Sequence, residues 1–324
     1  MSEKSGLKAF FVIAGSLLVL RLMLAFLYVP KPLAVLLSVV NTAVFIGLPV
    51  YAVYRAAAHG WTGKAALAVL VPGVVLHVVG AVLVRTVLPD EGFSTVLVSA
   101  LWQTGILMWT LGLGVLLSFV IKDKNMLIPV AIFLVGFDMF LVFNPDAPTA
   151  KFMRENPAVS QAVLATVPGA RTAQPGQRPM GKVQDMAYIG PADLLFAATF
   201  FTLIFRFRMR SRQTLNWMVP VLIVYLAVIL AFGDRYIGPL SLAMLPAMVP
   251  IGLTVLLVNR KEFKLQKQEV IGVVLVAAMA VALASYGVYR ASNVESQPAL
   301  PAEPSPSEPA PEDAAQEGSR QTAL

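Results

Sequence analysis

Apolar runs of about twenty residues recur along most of this chain, each as long as an α-helix that crosses a bilayer core of roughly 30 Å. Lipid offers no water to backbone N–H and C=O groups, so a spanning segment must satisfy them internally. The runs lack the strict alternation of a membrane barrel, which leaves helices. With 57% hydrophobic residues, 13% charged residues and a mean hydropathy of +0.74, the composition excludes an ordinary soluble domain. The expected fold class is an all-α polytopic membrane protein.

Nine candidate spans follow from the runs: 7–29, 33–54, 65–88, 95–121, 126–143, 187–205, 217–233, 237–258 and 270–289. Residues 1–125 form an N-terminal set of helices, and 126–258 carry the chemistry described below together with a long loop, 144–186. The last span lies within 259–291, and 292–324 form a Pro-, Glu- and Ser-rich tail expected to be disordered. Within the long loop, 157–167 carries a weak signal for a short amphipathic or re-entrant helix. No internal repeat stands out, which argues against an inverted-repeat transporter.

Basic residues gather in alternate loops. Lys4, Lys8, Arg55, Lys64, Lys122 and Lys124 fall on one side, with the arginines at 206, 208, 210 and 212 and with Arg260, Lys261, Lys264 and Lys267. The opposite short loops hold little beyond Lys31 and Arg235. By the positive-inside rule the N-terminus is cytoplasmic, and loop 144–186 and the tail are external. In a prokaryote the location would be the plasma membrane. The net charge of +7 therefore reads as topology and contact with anionic headgroups, not as a nucleic-acid partner. The chain has no cysteine, and its two histidines, His59 and His77, are scattered. No metal site and no cofactor is expected. The N-terminal apolar run is of full span length and reads as the first helix, not a cleaved signal.

Two of the spans each carry a lone acid. Asp138 follows Gly136-Phe137, and Asp193 follows Gly190-Pro191-Ala192. A charged carboxylate at mid-bilayer costs roughly 2.5–3.5 kcal/mol on insertion scales, which points to a partner, a wet cavity or a reaction. Asp138 lies about 7–8 Å from the outer end of its span, and Asp193 about 9 Å in from the same face. Sequential antiparallel helices place both at matching depth. Two facing carboxylates share a proton: one takes a proton from water while the other polarises a peptide carbonyl. The next span but one opens with Pro246-Ala247-Met248 and Pro250 from the same side. These prolines free backbone groups that can pair with an unwound substrate strand.

This order resembles the presenilin and signal-peptide-peptidase family, the Gly-x-Gly-Asp type of intramembrane aspartyl protease. That family sets Tyr-Asp on one helix, Gly-x-Gly-Asp on the next and Pro-Ala-Leu two helices later. The counterparts here are Phe137-Asp138, Gly190-Pro191-Ala192-Asp193 and Pro246-Ala247-Met248. The match covers about two-fifths of the chain, from Met126 to Val258, and includes the long loop between the acids. Phenylalanine, alanine and methionine stand where the family has tyrosine, glycine and leucine. Four spans precede the first acid and one follows the Pro-Ala-Met helix, where the family has five and none.

The resemblance implies a presenilin-like bundle and an endopeptidase cutting transmembrane proteins, peptides or signal-peptide remnants within the bilayer. Asp138 and Asp193 would be catalytic; Phe137, Gly190, Pro191, Ala192, Pro246, Ala247 and Met248 would hold substrate. It sets no oligomeric state. Two other readings stay open. The acids could form a relay in a proton-coupled transporter or channel, with Arg21 or His77 nearby, or the chain could be a non-catalytic membrane scaffold. Singly, Asp138 reads equally as an acid bonded to a neighbouring helix, Asp193 as a helix-start feature, and Pro246 and Pro250 as kinks.

Overall fold

A computed structural model of the chain describes residues 3–89, 91–147, 151, 155, 162–169, 171–172, 185–232, 236–237, 240–241 and 246–295. Among these are nine α-helices: α1 (Glu3–Ala25), α2 (Lys31–Ala57), α3 (Gly63–Thr86), α4 (Phe93–Ser118), α5 (Leu127–Phe143), α6 (Pro191–Arg206), α7 (Ser211–Phe232), α8 (Met248–Asn259) and α9 (Lys267–Glu295). Seven of them, all but α6 and α8, are long and apolar enough to cross a membrane. That is the build of a multi-pass membrane protein. The described residues also include six short strands: β1 (Tyr28–Val29), β2 (Ala165–Pro168), β3 (Arg171–Thr172), β4 (Asp185–Ile189), β5 (Tyr236–Ile237) and β6 (Leu240–Ser241).

Two of the expected spans begin later than their apolar runs. The sixth begins at Pro191, because Ala187 to Ile189 belong to β4. Proline disfavours helical geometry in the residue before it and fits the first helical position, so Gly190-Pro191 turns strand into helix. The eighth begins only at Met248, since residues 236–237 and 240–241 form the hairpin β5–β6. Pro250 sits in its first turn, where a missing N–H costs nothing. Of the helix expected near 157–167, Ala162 and Val163 are helical, a bend at Leu164 ends it and Ala165–Val167 belong to β2, while 157–161 lie outside the described residues. Of the expected tail, Ser292 to Glu295 extend α9; 296–324 also lie outside the described residues.

Small residues let the helices approach closely, as bilayer packing requires. In the α3–α4 seam, a methyl built on Gly73 would lie 2.5 Å from the Trp109 nitrogen, and one on Gly105 would lie 2.6 Å from the His77 nitrogen. α6 is central: residues Ala197 to Ile204 are all buried, against α4 and α2. Thr199 Oγ1 donates to the Gly114 carbonyl at 3.1 Å, and the Phe201 ring meets Tyr54 edge-on at 5.4 Å. α5 packs on α8 and α9.

The basic loops meet at one end of the bundle. Arg206 reaches from the end of α6 to the Ser118 and Ile121 carbonyls at 2.9 and 2.7 Å. Arg210 pairs with Glu262 at 3.1 Å, and its backbone N–H donates to Asn259 Oδ1 at 3.0 Å. Asn125, in the turn just before α5, donates to the Lys264 carbonyl at 3.0 Å.

At the other end, β2 runs buried among α1, α2 and α4 and pairs antiparallel with β4. Extended backbone there has to be satisfied by protein. Arg21 donates to the hydroxyl and the carbonyl of Thr166. Gln103 accepts from the Thr166 N–H at 3.0 Å and donates to the Leu164 carbonyl at 3.3 Å. Trp102 Nε1 donates to the Ala162 carbonyl at 3.0 Å, and Asn41 to the Pro168 carbonyl at 3.4 Å.

Candidate active site

Helix periodicity fixes where Asp138 points. Gly136 is pressed onto α9, where an added methyl would lie 2.5 Å from Ala280 Cβ. At about 100° per residue, Asp138 lies roughly 200° further round, on the opposite face. That face meets α8, and the Met248 N–H donates to Asp138 Oδ2 at 2.9 Å. Met248 is the first residue of α8, so one of the N–H groups a helix start leaves open is closed by the acid. The positive end of α8 thus faces the carboxylate.

Asp193 is held differently, by its own helix. Gly190 is the N-cap of α6, Pro191 the first helical residue and Asp193 the third. The Asp193 carboxylate accepts a hydrogen bond from the Gly190 N–H. This is the return half of a capping box, in which an acid at the third position reaches back to the cap. The Gly190 carbonyl in turn accepts from the Asp193 N–H at 3.1 Å. A methyl on Gly190 would come within 3.1 Å of Asp193 Oδ2, so the carboxylate lies directly over the glycine.

Asp193 and Asp138 lie within electrostatic reach of each other, although α5 and α6 do not pack extensively. The start of α8 bridges them. Asp193 opens onto a cavity of about 120 Å³ whose wall includes Tyr188 and Ile189 of β4, Tyr225 of α7 and Ala247. Tyr225 is in electrostatic reach of both acids.

The expected site residues therefore divide. Asp193 and Ala247 line the cavity, Gly190 lies under Asp193, and Met248 holds Asp138. Pro246 is buried just before α8, and Pro191 starts α6. Phe137 is not brought to the cavity: it stacks between Phe133 and Phe140 on an exposed face of α5, at 5.6 and 6.3 Å. Ala192 is exposed. Tyr225, Tyr188 and Ile189 were not anticipated. The signal for Tyr225 is a lone phenol inside an apolar helix, a group that needs a polar neighbour when buried.

Arg21 and His77, the other ionisable groups weighed for the site, are elsewhere. Arg21 binds Thr166 and lies over the Phe45 ring. His77 sits in the α3–α4 seam with its ring 6.5 Å from that of Trp102 and 6.2 Å from that of Trp109. Among the described residues no three His, Asp or Glu side chains converge as a metal site. No family model, curated protein or solved structure matches the chain.

Proposed function

We propose that this chain is an intramembrane aspartyl protease hydrolysing peptide bonds of membrane-spanning segments or signal-peptide remnants, with Asp138 and Asp193 as its paired acids. The observation that carries this reading is the pairing itself. Two carboxylates from different helices sit in electrostatic reach, one tethered by the Met248 N–H and the other opening onto a cavity. That cavity, at about 120 Å³, exceeds the roughly 10–15 Å³ that a single water requires.

The acids share one proton. The ionised carboxylate takes a proton from water as the water oxygen bonds to the peptide carbonyl carbon. The protonated partner gives its proton to the carbonyl oxygen, yielding a neutral diol. The first acid then protonates the amide nitrogen while the second removes a diol proton. The C–N bond breaks, an amine and a carboxylic acid leave, and one shared proton remains. Tyr225 lies beside both acids, where its hydroxyl orients them or the water.

In this reading the basic end is cytoplasmic and the acids work from the external half of the bilayer, in the plasma membrane of a prokaryote. The proton-relay reading calls for Arg21 or His77 as a further member. Arg21 is bonded to Thr166, His77 lies in the tryptophan-lined seam, and neither lines the acid cavity, which favours hydrolysis. The test is purified protein in liposomes with a panel of single-span substrates, fragments being read by mass spectrometry. Cleavage lost in both D138N and D193N, with folding intact, is the expected result. Undiminished cleavage in both variants overturns the assignment.

A further inference from the structure

A second cavity lies at the basic end, between α7 and α8, with a volume of about 550 Å³. Its rim carries Arg210, Arg260 and Lys261, and its wall includes Trp217, Val221 and Leu257. Three cations thus stand over an apolar trough. Trp217 and Leu257 are each 62% exposed, so the trough opens to the surroundings of the bundle. Arg210 uses Nε in its bond to Glu262, which leaves a guanidinium with two further N–H₂ groups. One carboxylate among three cations leaves an excess of positive charge at the mouth.

We propose that this groove is a binding site for an anionic phospholipid, whose phosphate sits among Arg210, Arg260 and Lys261 and whose acyl chain runs along Trp217, Val221 and Leu257. The amphiphilic lining selects the occupant. A soluble anion would leave the apolar wall uncovered, and a zwitterionic lipid would leave the cations without a net countercharge. Indole rings favour this headgroup depth. The inference does not depend on proteolysis.

Trp217 supplies the readout. The protein is placed in phosphatidylcholine vesicles containing a small fraction of brominated phosphatidylglycerol, which quenches indole fluorescence on contact. The contribution of Trp217 is the difference between the protein and W217F. Each basic residue near an anionic surface is worth a factor of about five in partitioning, so R260Q/K261Q is expected to lower the preference for phosphatidylglycerol about 25-fold. K122Q/K124Q, which removes two cations from the same end but outside the groove, is expected to retain it. Equal quenching by brominated phosphatidylcholine overturns the proposal, as does equal loss in the two double variants. Competition by inorganic phosphate as effective as that by phosphatidylglycerol also overturns it, by assigning the groove to a soluble anion.

Discussion

Two polar regions lie side by side toward the end of the bundle opposite the basic loops, and they are built on opposite principles. Ile189 and Leu194 form a common wall between them. Arg21, Asn41 and Gln103 bond to the buried strand β2 and Trp102 to Ala162 just before it, and the space left there is only about 40 Å³. Around the acids, one hydrogen bond to each carboxylate is found among the described residues, and the adjoining cavity is three times as large at about 120 Å³. A saturated network specifies a shape. A sparsely bonded pair of acids beside a void keeps oxygen lone pairs available for water and substrate. Buried polarity is common to both regions; unspent bonding capacity sets the acids apart, and the proposed function rests on it.

The sharpest way to break this contrast is to neutralise the acids. D138N and D193N should each lower cleavage by at least 10²–10⁴-fold, about the range of general acid–base catalysis. Thermal unfolding in micelles should stay near that of the parent. Activity of the parent should follow a bell-shaped pH profile whose two limbs belong to the pair. Next in size is R21M, which strands the Thr166 carbonyl in the saturated region. It should cost about 2–3 kcal/mol of stability, read from denaturation midpoints, with turnover per folded molecule unchanged. A catalytic loss in R21M with full stability would erase the distinction between the two regions.

Smaller effects sharpen the comparison within the acid site. G190A pushes a methyl toward Asp193 Oδ2 and should lower kcat about tenfold through misplacement, with little change in unfolding temperature. Y225F removes one hydroxyl beside both acids. Its expected cost is about 1 kcal/mol in kcat/KM, or roughly fivefold. If Y225F left kinetics unchanged and lowered stability alone, the phenol would belong with the structural polar groups.

Run length made the helices legible in the sequence: a helix falls at each of the nine expected positions among the described residues, and seven of these are long and apolar enough to cross a membrane. The neighbourhood of the acids was legible too, because helix period and antiparallel order set depth. The contact between Asp138 and the start of α8 falls where Pro246 to Met248 were expected to act. What escaped was backbone geometry inside apolar sequence. Residues 165–168 sit in a stretch apolar enough to pass for part of a helix, and the partners that hold them extended, Arg21 and Gln103, are 145 and 63 residues away from Thr166. Strand β4 escaped for a similar reason, since Ala187-Tyr188-Ile189 reads as a continuation of the helix after it. Phe137 shows the limit of analogy by adjacency: next to Asp138 in sequence, it points about 100° away around the helix.

Under the proposed function, the shortness of α8 has a consequence for where cutting would take place. Twelve residues make a rod of about 18 Å, against a hydrocarbon core of roughly 30 Å. With its C-terminal end fixed at the basic face by Asn259, Arg210 and Glu262, its N-terminus stops about 12 Å short of the far surface. The helix thus acts as a ruler, setting the acids at a fixed height above the basic face. Proteoliposomes with longer acyl chains, which thicken the bilayer, should then shift the scissile bond along a given substrate instead of moving the enzyme's own site.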